Sequence, residues 1–450
     1  MKQGQLLRVV GRNEILALSF GAMIGWSWVA LTGNWITQAG SLGAILAFLA
    51  GGIVVIFVGL TYAELSSAIP LVGGEHAYSL RALGPIASFI CTWSILLGYV
   101  SVVAFEAVAL PTVLDYLLPN LSRGYLWTVA GWDVHFTWVL VGILGAIFIT
   151  LINFFGIQMA SRLQMFATLI VIIGGLTLIG GATFSGEVEN FSPLFNNGSK
   201  GLLSVIIMVP FMFVGFDVIP QSAEEINLPF AQIGKAIMLS IITAILWYML
   251  IILSVSMGLE SQQRELSLLP TAEASSALFK TSTAGKIIVI AGIGGLLTSW
   301  NAFLIGGSRA LYALAQAGQL PAIFGELHPR YNTPYKAILL IGSLSIIAPL
   351  FGRPALVWLV NAGGLGIILA YIFVAISFLV LRVREPNMKR PFKVRNWRIV
   401  GGLALLLSCG ILLLYLPGSP ASLIWPYEWM IIFIWVLLGI FLSTRKRDDL

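Results

Sequence analysis

Twelve apolar runs follow one another along this chain, near residues 15–36, 41–62, 86–117, 137–154, 164–183, 201–220, 236–258, 285–314, 336–351, 356–381, 399–416 and 427–442. A helix needs roughly 20 apolar residues to cross the hydrocarbon core of a bilayer. Within that core every backbone N–H and C=O must find a partner inside the protein, so only helices and closed barrels cross it. The runs are continuous rather than alternating, which predicts helices. Of the 450 residues, 58% are hydrophobic and 10% charged, whereas a soluble domain carries about a quarter charged. No linker or low-complexity segment divides the chain, so residues 1–450 are expected to form one all-α integral membrane domain with twelve transmembrane helices.

Lysine and arginine placement predicts the orientation, because inner segments of membrane proteins carry the excess of both. With the N-terminus inside, 19 of the 25 basic residues fall on inner segments, among them Lys2, Arg8, Arg12, Arg309, the block Arg382 to Arg398, and Arg445 to Arg447. Both termini are expected in the cytoplasm, and the protein in the plasma or inner membrane. The same placement accounts for the +6 net charge without nucleic acid as a partner. Cys91 and Cys409 lie in apolar runs, so no disulfide framework is implied. Met1 to Glu14 is polar with no signal-type cleavage site and reads as a cytosolic lead-in to the first span.

Two runs carry interruptions: Gly21-Ala-Met-Ile-Gly25-Trp-Ser27-Trp28 in the first and Val214-Gly215-Phe-Asp217-Val-Ile-Pro220 in the sixth. Glycine alone is weak evidence, since it often serves close helix packing in membranes. Broken helices at corresponding places in two halves, however, point to a carrier built from inverted repeats.

Six segments in order resemble the amino acid–polyamine–organocation superfamily of transporters. They are Gly21-x-x-x-Gly25, Pro70-Leu-Val-Gly73-Gly74-Glu-His-Ala-Tyr78, and Asn153-Phe-Phe-Gly156 with Ser161-Arg-Leu-Gln164. After these come Gly215-Phe216-Asp217 with Glu224-Glu225-Ile-Asn227-Leu-Pro229, Ser308-Arg309-Ala-Leu-Tyr312 closing on Gly318-Gln-Leu-Pro321, and Arg390-Pro391-Phe392-Lys393. The resemblance covers nearly the whole chain. It implies the leucine-transporter fold, with inverted repeats at about 15–183 and 201–381 and peripheral helices over 399–442. It also implies secondary active transport of an amino acid or related small amine.

A break in a membrane helix must line a cavity, and the N-terminal end of a half-helix offers N–H groups to a carboxylate. Ala22, Gly25, Trp26 and Ser27 are therefore the expected substrate cradle, faced by Phe213, Gly215, Phe216 and Asp217 of the sixth helix, whose freed carbonyls suit an ammonium group. Relatives commonly carry glycine where this chain has Ser27, and the side chains there narrow the cradle toward a small substrate. Glu106 is the only charge in the third helix between Arg81 and Asp115. An ionised carboxylate in hydrocarbon costs about 2.5–3.5 kcal/mol, so Glu106 is expected to face the interior. There it either binds a substrate amine, carries a proton, or stays neutral as a structural group. Asp217 gates or orients the sixth helix.

Some proton-coupled relatives carry a lysine in helix 5; the matching position here is Val171, and helix 5 has no lysine. Thr298-Ser299 stand where sodium-coupled relatives supply two ligands, so Gly21, Ile24, Thr298 and Ser299 form a candidate all-oxygen site for sodium. Ordinary back-bonding of the two hydroxyls is the competing reading. Sodium coupling, proton coupling through Glu106 or Asp217, and exchange without a driving ion all stay open. No cofactor is implied, and nothing specifies the oligomeric state. The chain lacks HExxH, Gly-x-Ser-Gly and Gly-x-Gly-Asp, and His76, His135 and His328 lie in separate loops, which speaks against an intramembrane enzyme. No repeated selectivity filter of channel type is present.

Overall fold

A computed structural model of the chain describes residues 6, 8–118, 121–267, 269–419 and 422–444. Lys2 and Arg445 to Arg447, part of the predicted inner charge, lie outside the described residues. The first span is built in three pieces, α1 (Arg12–Ile24), α2 (Ser27–Ala30) and α3 (Thr32–Ala39). The second is α4 (Ser41–Ala68), followed by a short connecting helix α5 (Glu75–Leu83) and the third span α6 (Pro85–Leu117). Proline opens α6, at the position where a missing N–H costs a helix nothing. Next come the hairpin β1 (Tyr125–Val129) and β2 (Trp132–His135), then α7 (Phe136–Phe154) and α8 (Ile157–Ser185).

The sixth span is again divided, into α9 (Gly198–Ile206), α10 (Val209–Phe213) and α11 (Val218–Gln221). After it come α12 (Phe230–Gly258), two loop helices α13 (Ser261–Leu266) and α14 (Pro270–Leu278), and α15 (Ser282–Gln316). The chain closes with α16 (Tyr335–Ile347), α17 (Ala355–Arg384), α18 (Trp397–Tyr415) and α19 (Tyr427–Thr444). Among the described residues, ten helices are long and apolar enough to cross a membrane, and Arg12–Ala30 with Thr32–Ala39, bent by 66°, makes eleven. The predicted run 336–351 is a shorter apolar helix, Tyr335–Phe351. This is a multi-pass membrane protein.

Every predicted run is helical, but helix ends extend past the apolar stretch: α8 starts at Ile157 rather than near 164, and α12 at Phe230 rather than near 236. Helical hydrogen bonding continues beyond the hydrocarbon, so hydropathy sets an inner bound on length. The segment 120–134 holds an antiparallel hairpin, with Val129 opposite Trp132 across a two-residue turn. Both turn residues, Ala130 (φ 49°) and Gly131 (φ 80°), have positive φ, the twist that matches a hairpin.

α15 is the centre of the bundle, buried along almost its whole length, with α8 and α6 packed along it. α12 lies along α4 and α17 along α6, while α18 and α19 sit outside. Parts of the motif segments meet where Val9 and Val10, the connection before α5 and the α17–α18 connection lie. Arg309 of α15 donates from Nε and Nη2 to the two carboxylate oxygens of Glu225, both at 2.9 Å, with both side chains 1% exposed. The backbone N–H groups of Val9 and Val10 donate to the Glu225 carbonyl, and Asn227 N donates to Val10 O. Glu64 of α4 takes Arg382 at 2.6 Å and Arg390 at 3.0 Å. Two arginines from the α17 end thereby neutralise one buried carboxylate.

Removing one partner of a buried ion pair leaves a charge without compensation, at a cost of about 3–5 kcal/mol. Glu225→Ala is expected to lower thermal stability in detergent by that order, while E225L combined with R309M recovers most of it. Equal melting of Glu225→Ala and wild type would contradict the buried pair.

Candidate functional site

α1 stops at Ile24 because Gly25 takes φ 50° and ψ −147°, a backbone region that side chains with a Cβ avoid. The stop leaves carbonyls without helical partners in a place water does not reach. Tyr248 of α12 supplies the missing donor: its hydroxyl lies 2.6 Å from Met23 O, with Ile24 O at 3.2 Å and Met212 O of α10 at 3.4 Å. Ser27 Oγ sits 2.9 Å from the same hydroxyl and 3.2 Å from Ile24 O. One tyrosine therefore braces both broken helices. Trp28 packs edge-on against Trp247 at 5.6 Å between ring centres, fixing α2 against α12.

The second break abuts the first. Gly215 has φ 135°, and a Cβ there would lie 2.7 Å from Ala22 Cβ and 2.8 Å from Met23 N. Only glycine permits that approach. Asp217 organises this break: Oδ1 accepts from Gly215 N at 2.6 Å and Oδ2 from the Tyr99 hydroxyl of α6 at 2.9 Å.

A small cavity lies between the breaks, lined by Ala22, Met23, Ile24, Gly25, Trp26 and Ser27 on the first span. Val102, Phe105 and Glu106 of α6, Phe211 and Met212 of α10, and Ser299 and Phe303 of α15 complete it. Ala22, Gly25, Trp26, Ser27 and Glu106, read from the sequence as a substrate cradle, are brought together at this cavity. Phe213, Gly215, Phe216 and Asp217 do not reach the cavity. Phe213 packs against Tyr248, and Phe216 against Tyr62 and Tyr371, while Gly215 and Asp217 are taken up in shaping the break. The water-accessible space is about 20 Å³, enough for about one water. An amino acid enters only if the helices move apart. A larger groove of about 670 Å³, lined by outward apolar side chains such as Leu169, Leu176 and Leu246, lies on the lipid-facing side between α1, α8 and α12.

Glu106 is fully buried; one carboxylate oxygen accepts from Ser299 Oγ, and the other has no partner. A Cβ on Gly25 would come 3.5 Å from Glu106 Oε1 and 3.1 Å from Ser299 Oγ, so this carboxyl stands against the break itself. Thr298 Oγ1 lies 2.8 Å from Gly21 O and 2.7 Å from Gly295 O. Of the four oxygens expected for sodium, Thr298 Oγ1 and Gly21 O are neighbours; all four are hard donors, and each is already engaged in a hydrogen bond. On α8, the side chains next to Gly21 are Gln164 and Thr168, which both donate to Ala17 O at 3.2 Å. Gln164 Oε1 in turn accepts from Asn301, which accepts from Asn153. Val171 is buried one turn farther along.

The sequence reading passed over Val102, Phe105, Phe211, Met212, Phe303 and Tyr248. Val102 is one turn before Glu106 and Phe303 one turn after Ser299, so helical periodicity from the two polar residues would have found them. Tyr248 carried no such signal, because its neighbours form an unbroken apolar run.

Residues 12–441 match the amino acid permease family. The chain is 27% identical, over 99% of its length and 95% of the relative's, to the branched-chain amino acid permease BcaP of Bacillus subtilis (strain 168). It has the same identity and coverages, 27%, 99% and 95%, with the methylthioribose transporter of that organism. Against its aspartate-proton symporter the identity is 26%, over 91% of this chain and 80% of the relative.

Losing the Tyr248 hydroxyl strips a buried carbonyl of its donor, which costs about 1–3 kcal/mol. Tyr248→Phe is expected to destabilise the purified protein by that amount, whereas the same change at half-exposed Tyr427 leaves melting unchanged. Equal effects at the two positions would refute the bracing role.

Proposed function

We propose that this chain, which belongs to the amino acid permease family, carries a small neutral amino acid across the cell membrane by alternating access, with a proton carried on Glu106. The supporting observation is that Glu106 is the only charged side chain lining the cavity and stands at the break in the first span. A substrate carboxylate held by the backbone of Gly25 to Ser27 would meet a second negative charge there unless Glu106 took up a proton. Binding of the zwitterion and protonation of Glu106 would then favour one another by the same factor, since linkage is reciprocal. Met23, Val102, Phe105, Phe211, Met212 and Phe303 suit an apolar substrate side chain. A branched-chain substrate, as in the name of one relative, fits this lining better than aspartate, whose extra carboxylate would find no cation there.

A second reading rests on the 2.8 Å approach of Thr298 Oγ1 to Gly21 O, which brings two of the four candidate sodium oxygens together. Sodium would need the Thr298 hydroxyl to turn its proton away from that carbonyl. A substrate amine without a carboxylate is the remaining alternative, with ionised Glu106 as its direct partner.

The same reading takes the fold as two inverted repeats, about 15–183 and 201–381, within twelve crossings that count Tyr335–Phe351 as the ninth. The packing supports this. Under exchange of the repeats, α4 with α12, α6 with α15, and α7 with α16 map onto themselves, while α8 on α15 maps onto α17 on α6. The basic face is cytoplasmic in this reading. Cysteines placed at exposed Arg395 and exposed Asn197 test the orientation: a membrane-impermeant thiol reagent applied outside intact cells should tag only position 197.

In proteoliposomes, Glu106→Gln is expected to keep substrate exchange and lose accumulation driven by an inward proton gradient. If the substrate is a simple amine, Glu106→Gln abolishes binding instead. Affinity that differs between sodium and choline at fixed pH, and loses that difference in Thr298→Ala with Ser299→Ala, would replace the proton reading with the sodium one.

A further inference from the structure

A second carboxyl is buried away from the cavity, and the transport reading does not use it. Glu75 opens α5, in the connection between α4 and α6, and is 0% exposed. Gln221, at the end of α11 and also 0% exposed, donates from Nε2 to Glu75 Oε2. This leaves Glu75 Oε1 and Gln221 Oε1 as two buried oxygens outside hydrogen-bond distance of any donor, with the Tyr62 hydroxyl the neighbour that weakly favours the Glu75 carboxylate. Both are acceptors if Glu75 is ionised, so neither can satisfy the other. One proton on Glu75 resolves both at once, because a neutral carboxyl and a primary amide form a pair of opposed hydrogen bonds.

The surroundings offer no cation to take the proton's place. On α5 itself, Tyr78 is neutral and His76 takes a hydrogen bond between Nδ1 and Ser88 Oγ at 2.9 Å. Burial pushes the His76 pKa down to about 4, so it is neutral near pH 7. Arg81, at the exposed end of α5, is paired with Glu385 at 2.6 Å. From α4, α6 and α17 the groups facing Glu75 are Tyr62, Cys91, Tyr99 and Tyr371. Arg384 of α17 donates instead to Ala82 O, and Arg309 of α15 to Glu225. Asp217, one turn before Gln221 on α11, adds a negative neighbour, and its two oxygens already accept from Gly215 N and Tyr99. Two ionised carboxylates in one dehydrated cluster repel strongly. Burial and the nearby Asp217 both push the Glu75 pKa well above the carboxylate range.

We infer that Glu75 is a proton-binding site of its own, with the proton donated from Oε1 to Gln221 Oε1, and that this acid–amide pair latches the 69–84 connection to α11 while the basic face is closed. Gly73 N donating to Gln221 O at 3.2 Å, and Val72 N to Glu224 Oε1 at 3.2 Å, lie along the same seam. When the face opens, the proton passes to water on that side, leaving a solvated carboxylate and a solvated amide, and reclosing takes it back. The latch role rests on the alternating-access reading above; the bound proton does not.

Infrared spectroscopy of the purified protein near neutral pH tests the proton directly, in a Glu106→Gln, Asp217→Asn background that removes the carboxyl at the breaks and the one beside Glu75. A neutral-carboxyl C=O band that shifts in heavy water is expected there, and Glu75→Gln should abolish it. Glutamine can keep both hydrogen bonds to Gln221, so this variant should still fold. Gln221→Met, which deprives the acid of its acceptor, should move the band to higher frequency. Retention of the band unchanged in both variants would overturn the inference, whatever Glu106→Gln does to transport. Melting gives an independent reading with a defined sign. A carboxyl whose folded pKa is raised contributes stability below its usual value near 4.5 and loses it as pH rises through the raised value. As pH rises above about 5, the wild-type melting temperature should fall more steeply than that of Glu75→Gln; parallel curves count against the site.

Discussion

The hydrogen bond from Tyr248 to Met23 O is the interaction on which the rest of the arrangement depends. A membrane helix that stops halfway exposes carbonyls to a medium that cannot solvate them, at several kcal/mol for each group left bare. Here the stop is enforced by Gly25, and the exposed carbonyls of both broken spans converge on one hydroxyl. With the Tyr248 proton on Met23 O and the Ser27 hydroxyl 3.2 Å from Ile24 O, the backbone around Gly25 need not collapse back into helix. Gly215 can then bring the second break against Ala22, and the space between the two becomes a site rather than a packing fault.

The polar groups of the interior fall into two storeys. Glu106 and Ser299 sit at the breaks; Glu75, Gln221, Asp217 and Tyr99 sit nearer the face that carries the basic residues. Between the storeys, Phe216 packs with Tyr62 and Tyr371. Toward the basic face, the ion pairs of Arg309 with Glu225 and of Arg382 with Glu64 close the bundle. Separate layers of this kind let one face seal while the middle of the bundle rearranges.

The spans could be read from the sequence because lipid imposes a crude, length-based rule, and continuous apolar runs satisfy it unambiguously. Glu106 could be read for the same reason: a lone carboxylate in such a run is costly enough to need an explanation. The placement of Gly25 and Ser27 followed from the breaks. What could not be read was the partner of each group. Tyr248 and Tyr99 look like any aromatic residue in an apolar helix, and their roles come from contacts 225 and 118 residues distant in the chain. Glu75 lies in a polar connection, where a carboxylate needs no explanation until its burial is known. Phe213, Gly215, Phe216 and Asp217 lie on the side of the sixth span that holds the break rather than lining the cavity, a distinction composition does not make.

The N-terminal segment has a consequence for speed. Val9 and Val10 are bonded to the carbonyl of Glu225, and Asn227 N to Val10 O, so these two residues lie as a short strap before α1. Each such bond contributes about 0.5–1.5 kcal/mol net. Any outward swing of α1 on this side must first undo them, so they add to the barrier for that swing. Under the proposed alternating-access reading, the rate of that swing is thereby adjustable from Val9 and Val10, which do not line the cavity. Substitutions there would change how often the cycle turns while leaving what it recognises the same.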